Sequence, residues 1–316
     1  MLISVTIPVY KPRSEYLTAA LRSALDSVPR DAEVILVLDA AGGDVPEIEV
    51  PEGVRVDGGA DESGLAATWN RCLQTAAGEL VHILHQDDLV TRDFYTAILE
   101  ARLNRPDASL FASGFRSISP ESGVDSVRDT PLASAEKRTT HLTGADAARF
   151  LLGSNRHCCG SVVLHRERAL SLGGFSDAYP HSPDEEAYLR IAAHGGLVFS
   201  PEALYLARQH DDQARLRSWS RPDFVATYRR SRLDGARGYG SETQSFARRV
   251  TADRICSSMV TLAAARQRRR AIRGVLQLLD LDRSLVLHWR VWATLCVLLV
   301  PGGTRLALRR RARLKD

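Results

Sequence analysis

Several things are scarce or missing in this chain, and each absence removes a class of explanation. Five cysteines (Cys72, Cys158, Cys159, Cys256 and Cys296) form no CxxC pair, so with no export signal a disulfide framework is not expected, and they read as reduced, mostly buried thiols. The opening "MLISVTIPVYKP" has no basic stretch, no long apolar segment and no small-residue cleavage site. It does not read as a secretory leader, which places the expected location in the cytoplasm. The most apolar region, "LVLHWRVWATLCVLLVP", is broken by His288 and Arg290. Its uncharged part, Val291 to Val300, is about half a membrane span, so it is not expected to cross a bilayer.

What is present is the composition of a globular protein: 316 residues, 44% hydrophobic and 25% charged. That length holds one large α/β domain with or without an appendage. The net charge of +4 is unevenly spread. From Leu262 onward there are 13 basic residues against 3 acidic ones, which leaves the remainder acidic by 6.

"LISVTIPVY" is a near-continuous apolar, β-branched run, the pattern of a strand covered on both faces. A helix is expected next, capped by Ser14 and carrying Leu17, Ala20, Leu21, Ala24 and Leu25 at helical spacing. "EVILVLD" reads as a second buried strand ending at Asp39, "GLAATWNRCLQTAAG" as a helix stopping at Gly78, and "LVHIL" as a third strand. Thr91 to Leu103 reads as helix and "ASLFASGF" as strand. This alternation predicts an α/β fold with a doubly wound, mainly parallel sheet, in which ligands bind beyond the carboxyl ends of the strands.

Between Ser119 and Thr140 the chain turns polar and reads as a mobile insertion. A helix at Ala145 to Leu152, the strand "GSVVLH", a helix to Leu172, and a helix from Pro183 closing at Gly195 follow. "LVFSPEALYLARQHDDQ" reads as two short strands and a polar loop. Beyond about Arg217 the pattern is helical, so the expected domains are 1–216, catalytic, and 217–316, helical and basic.

The segment "ELVHILHQDDLVTRDF" ends a core strand with two adjacent carboxylates, Asp87 and Asp88. Two such acids repel and lose solvation unless a cation or hydrogen-bond donors lie between them. A divalent cation carrying substrate phosphates answers this. The plainer alternative is that Asp88 caps the helix near Thr91 and Asp87 is solvated.

"VTIPVYKP", Val34 to Asp39, "GLAATWN", "GELVHILHQDD", "GGFSD", "PDEEAYLRIAAHG" and "RQHDDQ", in this order, resemble the family 2 glycosyltransferases of the GT-A fold over roughly residues 3 to 215. The resemblance implies a nucleoside-diphosphate sugar as donor, with Pro8, Tyr10 and Asp39 at the nucleobase and ribose. Taken alone, Asp39 reads rather as a turn residue before Gly42 and Gly43. Gly64 and Asn70 match the family's helix near the donor, although Trp69 stands where a basic residue is usual, with Arg71 nearby. His85, Gln86 and Asp87 align with the DxD motif, His85 replacing its first acid. Asp87, Asp88 and His210 are then the implied ligands of Mg²⁺ or Mn²⁺, and Gln86 is a donor contact. Asp184 aligns with the general base, Glu185 being the alternative one residue on, and Asn155 to Cys159 falls at the acceptor side.

An inverting glycosyltransferase is therefore expected, acting on a saccharide or lipid-linked acceptor in polysaccharide or glycoconjugate synthesis. Two alternatives stand beside it. One is a GT-A-like scaffold that binds without catalysis. The other is a nucleotidyltransferase, against which "PVYKPRSEY" offers no glycine-rich, basic phosphate loop. The tail has two readings of its own: Trp289 and Trp292 beside the arginine-rich end (Arg305 to Lys315) suit an anionic membrane surface, and a core-packed helix with a solvated basic end suits them as well. No nucleic-acid motif accompanies the charge, so nucleic acid is not an expected partner.

Overall fold

The computed structural model describes residues 1–39, 49–58, 64–118, 138–153, 157–210, 218–264 and 266–299. The chain forms two compact units, Met1–His210 and Asp211–Asp316. The polar segment read as an insertion lies largely outside the described residues.

The first unit is built on one sheet. β1 (Ile3–Val9) is buried at every residue except Pro8, as its unbroken apolar pattern requires. It lies between β2 (Glu33–Leu38) and β4 (Leu80–Ile83), with β3 (Val54–Asp57) outside β2, and these four strands are parallel. The order continues through β8 (Val162–His165), β6 (Leu110–Ile118), β9 (Leu197–Arg208) and β5 (Leu89–Val90), with β7 (Thr140–Leu142) pairing β9. β8 runs antiparallel to both its neighbours, whereas β6 and β9 are parallel to each other. The expected doubly wound, mainly parallel α/β sheet is the one formed.

Helices α1 (Ser14–Leu25), α2 (Leu65–Thr75), α3 (Phe94–Asn104), α4 (Gly144–Gly153), α5 (Arg166–Ser171) and α6 (Pro183–Ala192) are interspersed among the strands, α5 and α6 following one another between β8 and β9. Ser14 does not cap α1. The Arg13 carbonyl accepts the first helical bonds, from Tyr16 and Leu17, so Arg13 is the cap residue. α2 stops short of Gly78 because the next N–H groups turn to the sheet, Ala77 to Glu33 Oε1 at 2.6 Å and Gly78 to Ser4 Oγ at 2.7 Å. The two strands expected after Gly196 are one, β9, whose pairing with β6 shifts register around Gly114. A β-bulge accommodates Pro201, which cannot donate to the ladder.

Among the buried polar residues of this unit's strands is a histidine, His82 on β4. Its ring nitrogens meet Tyr95 Oη at 2.9 Å and the Gly160 carbonyl at 2.7 Å. Burial pushes its pKa down to about 4, so it is a neutral packing residue.

The second unit packs the helices Phe224–Gly235, Ser241–Ala264, Arg268–Leu281 and Trp289–Leu299 around a core that includes Ile255, Met259, Val275, Leu278, Val291 and Leu298. No helix among the described residues is long and apolar enough to cross a membrane. The cysteines carry free thiols, Cys72 and Cys256 buried, Cys158 and Cys159 half-buried, and Cys296 exposed.

Candidate active site

The site begins where two central strands part. β1 pairs β2 as far as Val9, but pairs β4 only as far as Thr6. The Leu84 N–H makes the last bond across, to the Thr6 carbonyl at 2.9 Å. Pro8, which has no N–H to give, lies on the flank that β4 has left. This gap is the switch point of the sheet, where crossovers leave in opposite directions and ligands bind. Gln86 bridges it: its amide accepts from the Tyr10 N–H at 2.8 Å and donates to the Tyr10 carbonyl at 2.9 Å.

Beyond β4 the chain turns sharply, the Asp88 N–H reaching the His85 carbonyl, and the two carboxylates separate. Asp88 points inward and is 7% exposed. Its Oδ2 accepts from Tyr205 Oη and its Oδ1 from the Arg208 N–H, both at 2.7 Å. It does not cap a helix, since α3 starts later, behind Asp93. Asp88 instead fastens β9 to the end of β4. Gly160 makes room for this contact, because a Cβ there would collide with the Tyr205 hydroxyl.

Asp87 points the other way. Its Oδ2 meets His210 Nε2 at 2.7 Å, and its carbonyl accepts from Arg208 Nε at 2.9 Å. The Arg208 guanidinium lies over the Tyr16 ring at 4.5 Å, and Tyr16 in turn packs against the His210 ring at 5.5 Å. Burial opposes ionisation of Asp87, but the hydrogen bond with His210 and the fields of His85 and His210 outweigh it and lower its pKa.

His85 stacks on Trp69, with ring centroids 5.9 Å apart, and its Nδ1 is 3.5 Å from Asp88 Oδ2. Burial disfavours its charge. Asp88, then Asp87 and Asp184, more than offset this and raise its pKa. His85 Nε2 and His210 Nδ1 are buried and without a hydrogen-bond partner. Ligating atoms of His85, Asp87 and Asp88 lie within 4.8 Å of one another. Carboxylate oxygens beside imidazole nitrogens fit a divalent cation of the Mg²⁺ to Mn²⁺ type, the imidazoles favouring Mn²⁺.

The remaining acid comes from α6. Asp184 stands in the first turn of that helix, behind Ser182 and Pro183. Burial, followed by the neighbouring charge of Glu185, pushes its pKa up to about 6. Two contacts hold the segment leading into α6. Asn70 pairs with the Phe175 backbone, Nδ2 to the carbonyl at 2.8 Å and Oδ1 from the N–H at 2.7 Å. Arg190 binds Glu186 and donates to the carbonyls of Leu172 and Gly174. Gly174 has a φ of +60° and lies so close to Asn70 that a Cβ would strike its side-chain oxygen.

Asp39 closes the other end of the gap. Its Oδ2 accepts from the Gly64 N–H at 3.1 Å and from Thr68 Oγ1 at 2.6 Å, ordering the start of α2. Arg71 does not stand in for the basic residue missing at Trp69: Asp57 holds its guanidinium through two bonds, at 3.0 and 2.7 Å. Tyr10 is 43% exposed beside this end, with Lys11 Nζ 5.3 Å from its ring centre. Tyr16 and Tyr205 were not singled out in the sequence, and no motif marks their place beside His210 and Asp88.

A model of glycosyl transferase family 2 matches residues 4–172, just over half of the chain. The chain belongs to glycosyl transferase family 2. This glycosyltransferase is similar to the crystal structure of Staphylococcus aureus TarS 1-349 in complex with UDP-GlcNAc, with a TM-score of 0.61 and 16% identity over 100% of this chain and 88% of that one. A TarS 1-349 complex with UDP gives a TM-score of 0.56 and 16% identity over 80% of this chain and 70% of that one. Identity at this level shows the fold, which is the expected GT-A fold. A relative in sequence, the uncharacterized protein MT1568 of Mycobacterium tuberculosis, is 25% identical over 219 residues, 66% of this chain and 67% of the relative.

Proposed function

We propose that this glycosyltransferase moves a sugar from a nucleoside diphosphate to an acceptor hydroxyl in a single displacement that inverts the anomeric centre. One observation carries the reading: Asp87 meets His210 at 2.7 Å, and beside it His85 stacks on Trp69, whose ring packs edge-on against Phe175, which packs in turn on Tyr188 of α6, the helix that carries Asp184. Packed rings thus link the end of β4 to α6, and His85 and Asp184 each influence the other's ionisation. UDP-GlcNAc bound to TarS, a protein of the same fold, supports a nucleotide-sugar donor.

Pro8, Tyr10, Asp39 and Gly64 line the nucleobase end. Tyr10 offers an exposed ring, and Asp39 is already held by Gly64 and Thr68. Asp87 and His210 would hold a divalent cation, with His85 beside them and Asp88 behind as the anchor that sets Asp87. When bound, the cation offsets the charge that develops on the departing diphosphate. Gln86 and Asn70 act here through the backbones of Tyr10 and Phe175, to which their amides are committed. Asp184 takes the proton of the acceptor hydroxyl as that oxygen attacks. Its raised pKa brings it closer to the working pH than an ordinary carboxylate, and Glu185 helps keep it there. No covalent intermediate is required. The acceptor is a saccharide or a lipid-linked glycan, and the product a surface polysaccharide or glycoconjugate.

Calorimetric titration with UDP, GDP, TDP and CDP, each with and without Mn²⁺ or Mg²⁺, tests the donor half of this reading. One nucleotide binding only in the presence of the metal, with binding lost in Asp87→Ala, is the expected result. Equal binding without metal would contradict the assignment of Asp87 and His210.

A further inference from the structure

The helix Trp289–Leu299 is apolar on both of its faces, and only one is covered. Val291, Thr294, Leu295 and Leu298 are buried in the core of the C-terminal unit. The opposite stripe, Trp289, Trp292, Cys296 and Leu299, is exposed, Trp289 at 69%, Trp292 at 48% and Leu299 at 62%. A helix apolar all round belongs in a protein interior or against lipid. The turn before it extends the patch: Val286 is 47% and Leu287 93% exposed. Trp292 joins turn to helix, its indole N–H donating to the Val286 carbonyl at 2.6 Å.

From this geometry we infer that Leu287, Trp289, Trp292 and Leu299 form a wedge that seats in an anionic phospholipid leaflet. One polar group of the patch, the Trp292 indole, is already satisfied for such an environment. With its N–H bonded to Val286, Trp292 enters an apolar phase without leaving a donor unpaired. The one charged side chain on this part of the helix, Arg290, is drawn to Asp253 at 3.1 Å and lies along the Trp289 ring, and His288 leans to the same acid at 3.6 Å. Positive charge rims the wedge at both ends. Arg283 is exposed beside Leu287, and Arg268 donates to the Leu298 carbonyl, which brings exposed Arg269 and Arg270 to the Leu299 end. Six further basic residues, Arg305, Arg309, Arg310, Arg311, Arg313 and Lys315, follow in sequence. Indole rings and an apolar edge ringed by arginine complement a negatively charged lipid surface better than a neutral protein face. A lipid carrier would also be where a lipid-linked acceptor is found. Only that last consequence rests on the glycosyl-transfer reading.

The test is sedimentation of the full chain with vesicles of phosphatidylcholine alone and of phosphatidylcholine with an equal part of phosphatidylglycerol, for wild type and for Leu287→Glu with Trp289→Glu. Both side chains are exposed, so the variant should keep the wild-type melting temperature. Wild type should bind the anionic vesicles, and the variant about tenfold or more weaker. Wild-type indole emission should shift to the blue on binding, and the shift should shrink in Trp289→Phe. Equal binding by the variant, or a change only in self-association, would overturn the wedge, the second outcome assigning the face to another copy of the chain. Vesicle binding involves no turnover, so its failure leaves the nucleotide titration untouched, and failure of that titration leaves this result standing.

Discussion

Asp87 and Asp88 are adjacent in sequence and opposite in surroundings. Asp88 is taken up by Tyr205 and the Arg208 backbone, whereas Asp87 faces His210. That the pair needed partners follows from charge alone. Which acid turns inward depends on the turn after β4, and no local pattern encodes that. His210 was legible only through the resemblance, because its contact with Asp87 spans most of the catalytic unit. Asp184 leads to a prediction at this scale. An acid whose pKa the fold raises is disfavoured when charged, so the fold loses stability as pH rises from the ordinary value of 3.8 through about 6 and bears the full cost above that. Asp184→Asn should therefore raise stability at neutral pH by roughly 1–3 kcal/mol and leave it unchanged below about pH 4. Urea midpoints at the two pH values measure this, and a neutral-pH midpoint below wild type would contradict the buried, costly carboxylate.

Among the elements, those with both faces covered were the legible ones. β1, β2 and β4 announced themselves as apolar runs because helices cover the sheet on each side. β3, "VRVD", is an edge strand with its middle residues exposed, so it carries no apolar signal, and β5 is only two residues long. β9 read as two strands because Pro201 and Glu202 interrupt its pattern, and the bulge against β6 that reconciles them is a property of the pair. The segment before α6 is where one element sets another. Asn70, on α2, holds Phe175 by two hydrogen bonds. Asn70→Ala should cost about 1–3 kcal/mol of stability, since it leaves a backbone donor and acceptor unpaired. It should slow transfer by loosening α6 while leaving nucleotide affinity unchanged. A chemical melt beside a nucleotide titration separates these effects, and a loss of affinity at unchanged stability would make Asn70 a donor contact instead.

Taken whole, the molecule divides its charge between its units. Asp211–Asp316 carries 23 Lys and Arg against 9 Asp and Glu, a formal +14, which leaves Met1–His210 at −10. A unit of that sign repels a nucleoside diphosphate at long range, a repulsion that a cation at Asp87 would offset on the proposed reading. The basic unit is the half suited to a negatively charged surface. This asymmetry was plain in the composition, while the burial of one face of the last described helix and the exposure of the other were not, because both faces are apolar. The claim on which the account depends is that Asp184 and the Asp87–His210 pair serve one reaction. The most direct test compares wild type with Asp184→Asn for metal-dependent release of sugar from the nucleotide sugar whose nucleotide binds, with water or a simple saccharide as acceptor. The account predicts turnover reduced by about a hundredfold or more at unchanged nucleotide affinity, and a wild-type rate that falls as pH drops through about 6. Turnover within a few-fold of wild type would contradict it.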